Sequence, residues 1–399
     1  GSHMPRPGHI AMVSVPSRGH LHPSLELIRE LVARGHRVTY ANDPSVAAAV
    51  TETGAELVPY TSALPSTDTT EGRVTDQIAQ MDVFLDDAVG MLPQLRAAYE
   101  EDRPDVFLYD VLAYPARVLA MNWGIPSIQI SPTWVMPEKY RERMAPVVEQ
   151  LKQDPRGAAH YRRFDAWLED SGVPGIDAGD LVNLPERSLV LVPRFLQPDA
   201  DDVDEKRFTF IGPCLGRRAH QGDWKRPAGA EKVALVSLGS HLTNQLPFYE
   251  TCVEVFAALP DWHLVLQIGR HVDAGELGEL PPNVEVHNWV PQLAVLEQAD
   301  VFVTHGGMGG IQEGLFSGVP MVVAPQANDQ PANAESVVGL GIARRIDIAT
   351  VTPDRLRAAV VELASDPAVA ERLSGLRREL RAHGGTMRAA DLIERQLPA

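Results

Sequence analysis

Two histidines, one carboxylate and a run of glycines carry the chemistry that can be read from this chain. The stretch His305-Gly306-Gly307-Met308-Gly309-Gly310 follows Asp300–Thr304, a short apolar, β-branched run that predicts a buried parallel strand. A helix is expected from there to about Phe316, with Gly318 just past its end as a stop. Glycines at a helix start let an anion approach the backbone N–H groups, where the helix dipole also favours negative charge. His305 can donate to the same anion. The other histidine, His20, stands in Pro16-Ser17-Arg18-Gly19-His20-Leu21-His22-Pro23, directly after the first predicted strand. An imidazole there suits a general base near neutral pH. Asp110 follows a second apolar strand, and a carboxylate on one ring nitrogen would fix the tautomer and stabilise the imidazolium. On its own, Asp110 reads equally as a turn or cap residue, and a lone loop histidine as a structural one. His20 and His22 also invite a metal reading, but no third ligand stands at a convincing spacing. No Asp-x-Asp pair stands ready to hold a cation beside the glycine loop.

The elements that must position these residues alternate from end to end. Strands are expected at His9–Val15, Arg37–Ala41, Ala55–Pro59, Asp105–Tyr109, Ser127–Ile130, Ser188–Val192 and Phe208–Ile211. They resume at Val233–Leu238, His263–Ile268, Val284–His287, Asp300–Thr304, Met321–Ala324 and Ala343–Asp347. A helix over Pro23–Arg34 presents Leu25, Ile28 and Leu31/Val32 on one face and stops at Gly35, and helices at about Pro353–Ala364, Ala368–Ala382 and Thr386–Gln396 close the chain. Strands alternating with helices imply parallel sheets covered on both faces, with ligands beyond the carboxyl ends of the strands. His20, Asp110, Ser240 and His305 all fall at such ends. The polar, Gly/Pro-containing segment 214–231 reads as an interdomain linker.

From Trp289 to Gln330 the chain carries Trp289-Val290-Pro291-Gln292, the glycine loop with Glu313, Gly318-Val319-Pro320 and Asp329-Gln330. At this spacing the stretch resembles the nucleotide-sugar signature of GT-B glycosyltransferases. It lies closest to the bacterial macrolide enzymes and more distantly to plant natural-product enzymes, and the likeness extends over most of the chain. The resemblance implies an α/β, GT-B fold of two doubly wound Rossmann-like domains facing across a cleft. An acceptor-binding domain over 5–213, the linker, a UDP-sugar domain over 232–386 and a C-terminal helix over 387–399 crossing back are then expected.

The resemblance also assigns roles. Gly-His-x-x-Pro matches the family's catalytic loop, making His20 the base and Asp110 its partner in an inverting hexosyl transfer, glucose foremost. Trp289 would stack on uracil, with Val290 and Gln292 reading the base edge and Glu313 accepting from both ribose hydroxyls. Deoxythymidine-sugar relatives commonly lack that glutamate, so its presence favours UDP. Ser240, His305, Gly309 and Gly310 would hold the diphosphate, and Asp329 and Gln330 the sugar hydroxyls. Plant enzymes carry Asn and Ser where Gly309 and Gly310 stand, so one side-chain contact to the sugar is missing. A small hydrophobic hydroxylated acceptor, a macrolide or phenolic, is expected against Pro132, Trp134, Met136, His241 and the loop Thr61–Gln77. No metal or other cofactor is expected beyond the UDP-sugar co-substrate. The rival readings are a nucleotide-sugar epimerase, for which no second acid/base is legible, and a non-catalytic auxiliary protein, which would have lost the His/Asp pair or the glycine loop.

The 399 residues fit two or three domains, and 36 basic against 53 acidic residues leave −17, which argues against nucleic acid or an anionic membrane as partner. Cys214 and Cys252 form no disulfide framework, in keeping with a reducing cytoplasm, and no apolar run is long enough to span a membrane. Gly1-Ser2-His3 reads as a tag remnant before Met4. A monomer or homodimer is expected.

Overall fold

The computed structural model describes residues 6–64, 76–216 and 222–399. Much of the Thr61–Gln77 loop, part of the linker and the tag remnant lie outside them. The chain forms two compact units, one of Gly1–Gly216 with His383–Ala399 and one of Arg217–Ala382.

In the first unit, strands β1 (His9–Val13), β2 (Arg37–Asn42), β3 (Glu56–Pro59), β4 (Val106–Asp110), β5 (Ser127–Ser131), β6 (Ser188–Val190) and β7 (Phe208–Phe210) form a seven-stranded sheet, ordered β3-β2-β1-β4-β5-β6-β7. Every pairing in it is parallel. Both faces are covered, which is why β1 reads as an unbroken apolar run. Its Ile10 and Met12 join a core with α2 (Leu25–Ala33) and α15 (Gly385–Glu394), while Ala11 and Val13 join another with α4 (Gln77–Tyr99) and α5 (Pro115–Trp123). In α2 the buried residues are Leu27, Ile28 and Leu31, with Leu25 and Val32 at the margin. The expected stripe missed Leu27, because a helix flanked by both sheet and neighbouring helix buries a wider arc than a surface helix. Gly35, at φ 92°, ends the turn after α2 in a left-handed conformation that costs glycine little.

The second unit holds β8 (Lys232–Ser237), β9 (Trp262–Gln267), β10 (Val284–His287), β11 (Val301–Thr304), β12 (Met321–Val323) and β13 (Ala343–Arg345), ordered β10-β9-β8-β11-β12-β13 and all parallel. Helix α11 (Met308–Ser317) leaves β11 and stops on the left-handed Gly318. In both sheets the strand order reverses beside the first strand, between β1 and β4 and between β8 and β11. At such a switch point the flanking connections leave in opposite directions and open a crevice at the carboxyl edge.

Candidate active site

In the first unit the residues at the switch point are His20 and Asp110. Helix α1 (Arg18–Leu21) follows β1 and carries His20; Asp110 is the last residue of the neighbouring β4. His20 Nδ1 lies 2.9 Å from both Asp110 carboxylate oxygens. The Asp110 side chain is 2% exposed and that of His20 25%. Asp110 Oδ2 also accepts from the Leu112 N–H at 2.9 Å. The turn role and the pairing role are therefore both filled by one carboxylate, while the cap of α5 falls to Tyr114. With Nδ1–H held by the carboxylate, the lone pair of the imidazole is at Nε2, as a general base requires. His22 opens a short 3-10 turn with Pro23, and no group of three metal-ligating side chains occurs among the described residues.

The segment after β5 leaves the same sheet edge. Pro132 is buried there, and Trp134 and Met136 are half-buried. Between the last two, the Val135 backbone is clamped by Gln197, whose Oε1 accepts from Val135 N–H and whose Nε2 donates to Val135 C=O, each at 2.8 Å.

In the second unit, Ser240 follows β8 after the left-handed Gly239 (φ 79°). It is exposed and caps no helix, since α9 (Leu246–Ala257) begins beyond it. His241 Nδ1 is 3.4 Å from Ser240 Oγ, which places His241, expected among acceptor residues, beside the anion-site candidates of this unit. His305 directly follows β11, and its ring is pressed between backbones: a Cβ on Gly239 or on Gly307 would come within 2.7 Å of it. Its Nδ1 is enclosed with no hydrogen-bond partner. Burial, reinforced by His241, pushes the imidazole down to about 4. The buried imidazole is therefore neutral, and positive electrostatics at this edge come from the start of α11. A Cβ on Gly309 would meet nothing within 4 Å, so the space beside that residue is open. At Gly310 a Cβ would lie 3.2 Å from Thr304 Oγ1.

Further along this edge, Trp289 is 55% exposed, an unusual setting for a tryptophan and one that leaves a ring face available. Val290 is buried, and its N–H donates to Gln267 Oε1 at 3.0 Å. Gln292 Nε2 donates to Glu313 Oε2 at 2.8 Å, and Glu313 is only 6% exposed, so it is not a solvated helix charge. Asp329 Oδ2 accepts from Asn333 Nδ2 at 3.1 Å, and Asn333 also donates to Gly306 C=O at 2.9 Å, tying the two loops together. Gln330 Oε1 accepts from the N–H groups of Gln326 and Ala327, which leaves its Nε2 as the atom able to meet a ligand. Gln267 and Asn333 were not foreseen. The available signal was a polar residue ending an otherwise apolar strand and an amide one turn after Asp329.

Residues 256–392 match the family described as erythromycin biosynthesis protein CIII-like, C-terminal domain. The chain is 53% identical to oleandomycin glycosyltransferase of Streptomyces antibioticus over 395 residues, covering 98% of this chain and 92% of that protein. It is 33% identical to the NDP-glycosyltransferase YjiC of Bacillus licheniformis, with 97% of each covered. Among solved structures, the glycotransferase of kitacinnamycin aligns with a TM-score of 0.94 at 98% identity, covering 99% of this chain and 100% of that one. CalG4, the calicheamicin glycosyltransferase, aligns with 0.85 at 33% identity, covering 98% of each. With both parallel sheets and the identity across nearly the whole length, the chain belongs to the macrolide glycosyltransferase family and is a natural-product glycosyltransferase of GT-B fold.

Proposed function

We propose that this glycosyltransferase moves a hexose, glucose foremost, from a UDP-sugar to a hydroxyl of a macrolide or phenolic acceptor, with inversion and without a metal ion. The observation that carries the reading is the contact of His20 Nδ1 with both oxygens of the buried Asp110. In this reading His20 Nε2 takes the acceptor's hydroxyl proton as the oxygen attacks the anomeric carbon, and the bond to the UDP oxygen breaks. Asp110 holds the imidazolium that results. An α-linked donor then gives a β-glycoside. The departing diphosphate gains charge, which the first-turn N–H groups of α11, Ser240 and His305 are disposed to meet. The buried Glu313, held by Gln292, supports a ribose with both hydroxyls and hence UDP. Trp289 serves as the stacking face, Asp329 and the Nε2 of Gln330 meet the sugar, and Trp134 and Met136 with Pro132 form an apolar wall for the acceptor. The names of the relatives favour oleandomycin and kitacinnamycin as the first acceptors to try. The reading includes a cytoplasmic setting, in keeping with two buried free thiols, Cys214 and Cys252.

The test is mass spectrometry of products from the protein, UDP-glucose, a chelator and a panel of macrolides and phenolics. A hexose adduct that disappears with His20→Ala supports donor, base and metal independence together. Adducts formed only with added metal, or retained by His20→Ala, sink those parts of the reading.

A further inference from the structure

Helix α1 carries His20, and Pro23, which has no N–H to donate to Gly19 C=O, interrupts the hydrogen-bond ladder between α1 and α2 at the short turn His22–Ser24. Buried hydroxyls collect carbonyls at this interruption. Ser24 Oγ donates to Leu21 C=O at 2.8 Å, and Ser14 Oγ, just past β1, reaches His20 C=O at 3.4 Å. Beneath them lies Tyr40 of β2, in register with Met12 of β1 and fully buried. Its hydroxyl is 2.8 Å from Ser24 Oγ and also engages that of Ser14. The direction of the chain is fixed by chemistry. A carbonyl only accepts, so the one hydrogen of Ser24 goes to Leu21, and Tyr40 donates into Ser24. The run from Tyr40 Oη through Ser24 Oγ to Leu21 C=O therefore joins the neighbouring strand to the residue next to His20.

The other end of His20 is held by Asp110, which grips the ring at Nδ1. A ring held at one nitrogen can still tilt about that contact, because its Cα moves with the α1 backbone. Tying the carbonyls of His20 and Leu21 to buried hydroxyls fixes that backbone. Tyr60 and Asn42 brace the approach from β1, donating to Ser14 C=O at 2.6 Å and to Val15 C=O at 3.1 Å. With ring and backbone both fixed, Nε2 is held at one point. Proton transfer from an acceptor hydroxyl needs that point placed to within about 0.5 Å.

We propose that Tyr40 is a positioning residue for the reaction: its hydroxyl, acting through Ser24 on Leu21 C=O, sets where His20 Nε2 stands. The inference rests on the proposed role of His20 as the base. Tyr40→Phe keeps the core filled and removes the donor. Ser24 Oγ is then no longer held from beneath, and its hydroxyl is free to leave Leu21 C=O. Ser24→Ala cuts the same link one step further on. Because the two changes break one chain, the double variant loses no more than Ser24→Ala alone.

The experiment is initial-rate kinetics of the full chain with UDP-glucose and oleandomycin, with UDP affinity measured by calorimetry. Beside it, the His20 Nδ1–H proton resonance is followed in the ligand-free chain, assigned by its loss in His20→Ala. Tyr40→Phe and Ser24→Ala are each expected to shift that resonance and to lower kcat about tenfold, with acceptor KM and UDP affinity within about twofold of wild type. Tyr99→Phe removes another buried hydroxyl, whose partner is Thr39 Oγ1 at 3.0 Å, and is expected to leave kcat and the resonance unchanged. An unmoved resonance, an unchanged kcat, losses that multiply in the double variant, or an equal loss in Tyr99→Phe overturns the inference and leaves Tyr40 a core brace. Turnover retained by His20→Ala overturns the base reading itself, and the inference with it.

Discussion

Replacing Asp110 by asparagine probes the His20–Asp110 pair without changing its shape. The carboxylate has two acceptor duties, to His20 Nδ1–H and to the Leu112 N–H. An amide has one acceptor oxygen. If that oxygen stays on the Leu112 N–H, the amide NH2 faces His20 Nδ1, which must then be the lone-pair nitrogen. The proton moves to Nε2, and the base is presented in the wrong tautomer. If the oxygen turns to His20, a buried backbone N–H loses its partner instead. Either way the imidazolium loses its counter-charge. A pair about 4 Å apart, at an effective dielectric of about 20, interacts by about 4 kcal/mol, and each ~1.4 kcal/mol is tenfold in rate. Screening is modest because Asp110 is 2% exposed. The expected loss in kcat is therefore about a thousandfold. The assay is the initial rate of glycoside formation with oleandomycin and saturating UDP-glucose, alongside the UDP dissociation constant, which is expected to stay near wild type. A loss below about tenfold, with the fold intact by circular dichroism, would refute the orienting and charge-stabilising role of Asp110.

The remaining expectations are narrower. His20→Ala is expected to abolish transfer while UDP affinity, measured by calorimetry, stays near wild type; retained turnover would remove His20 as the base. Glu313→Ala is expected to reduce the preference for UDP over 2′-deoxy-UDP from about tenfold to near parity, since it deletes the acceptor that Gln292 holds in place; an unchanged preference counts against the ribose role. His305 gives a pH signature. Its folded-state pKa of about 4 lies below the ordinary 6.5, so the unfolded chain takes up a proton that the folded chain refuses. The stability present above pH 6.5 is therefore lost as pH falls toward 4, by up to about 3 kcal/mol. Thermal unfolding between pH 7 and pH 4.5 is expected to show a flatter decline for His305→Asn than for wild type, and identical slopes would contradict the burial of a neutral imidazole.

The strands and their carboxyl-end residues were legible because a doubly wound sheet writes a local signal: a short apolar run, then a polar or glycine residue, then a helix. Val301–Thr304 before His305 and Val106–Tyr109 before Asp110 are of this kind. The helix stop at Gly318 was legible for the same reason, since a left-handed residue after an apolar period needs no partner to announce it. The bonds that turn residues into a site were not, because sheet order and not chain order chooses the neighbours. Gln267 reaches back to Ser237 and forward to Val290 because β9 lies between β8 and β10, and no spacing in the sequence encodes that. Charge state is harder still. The composition offers His305 as a possible cation, yet two glycines on separate loops close over its ring and His241 stands near it, so it is neutral. That neutrality follows from where loops after β8 and β11 meet, and it bears on the proposed chemistry: an anion at the start of α11 would be met by aligned N–H groups and not by a fixed positive charge.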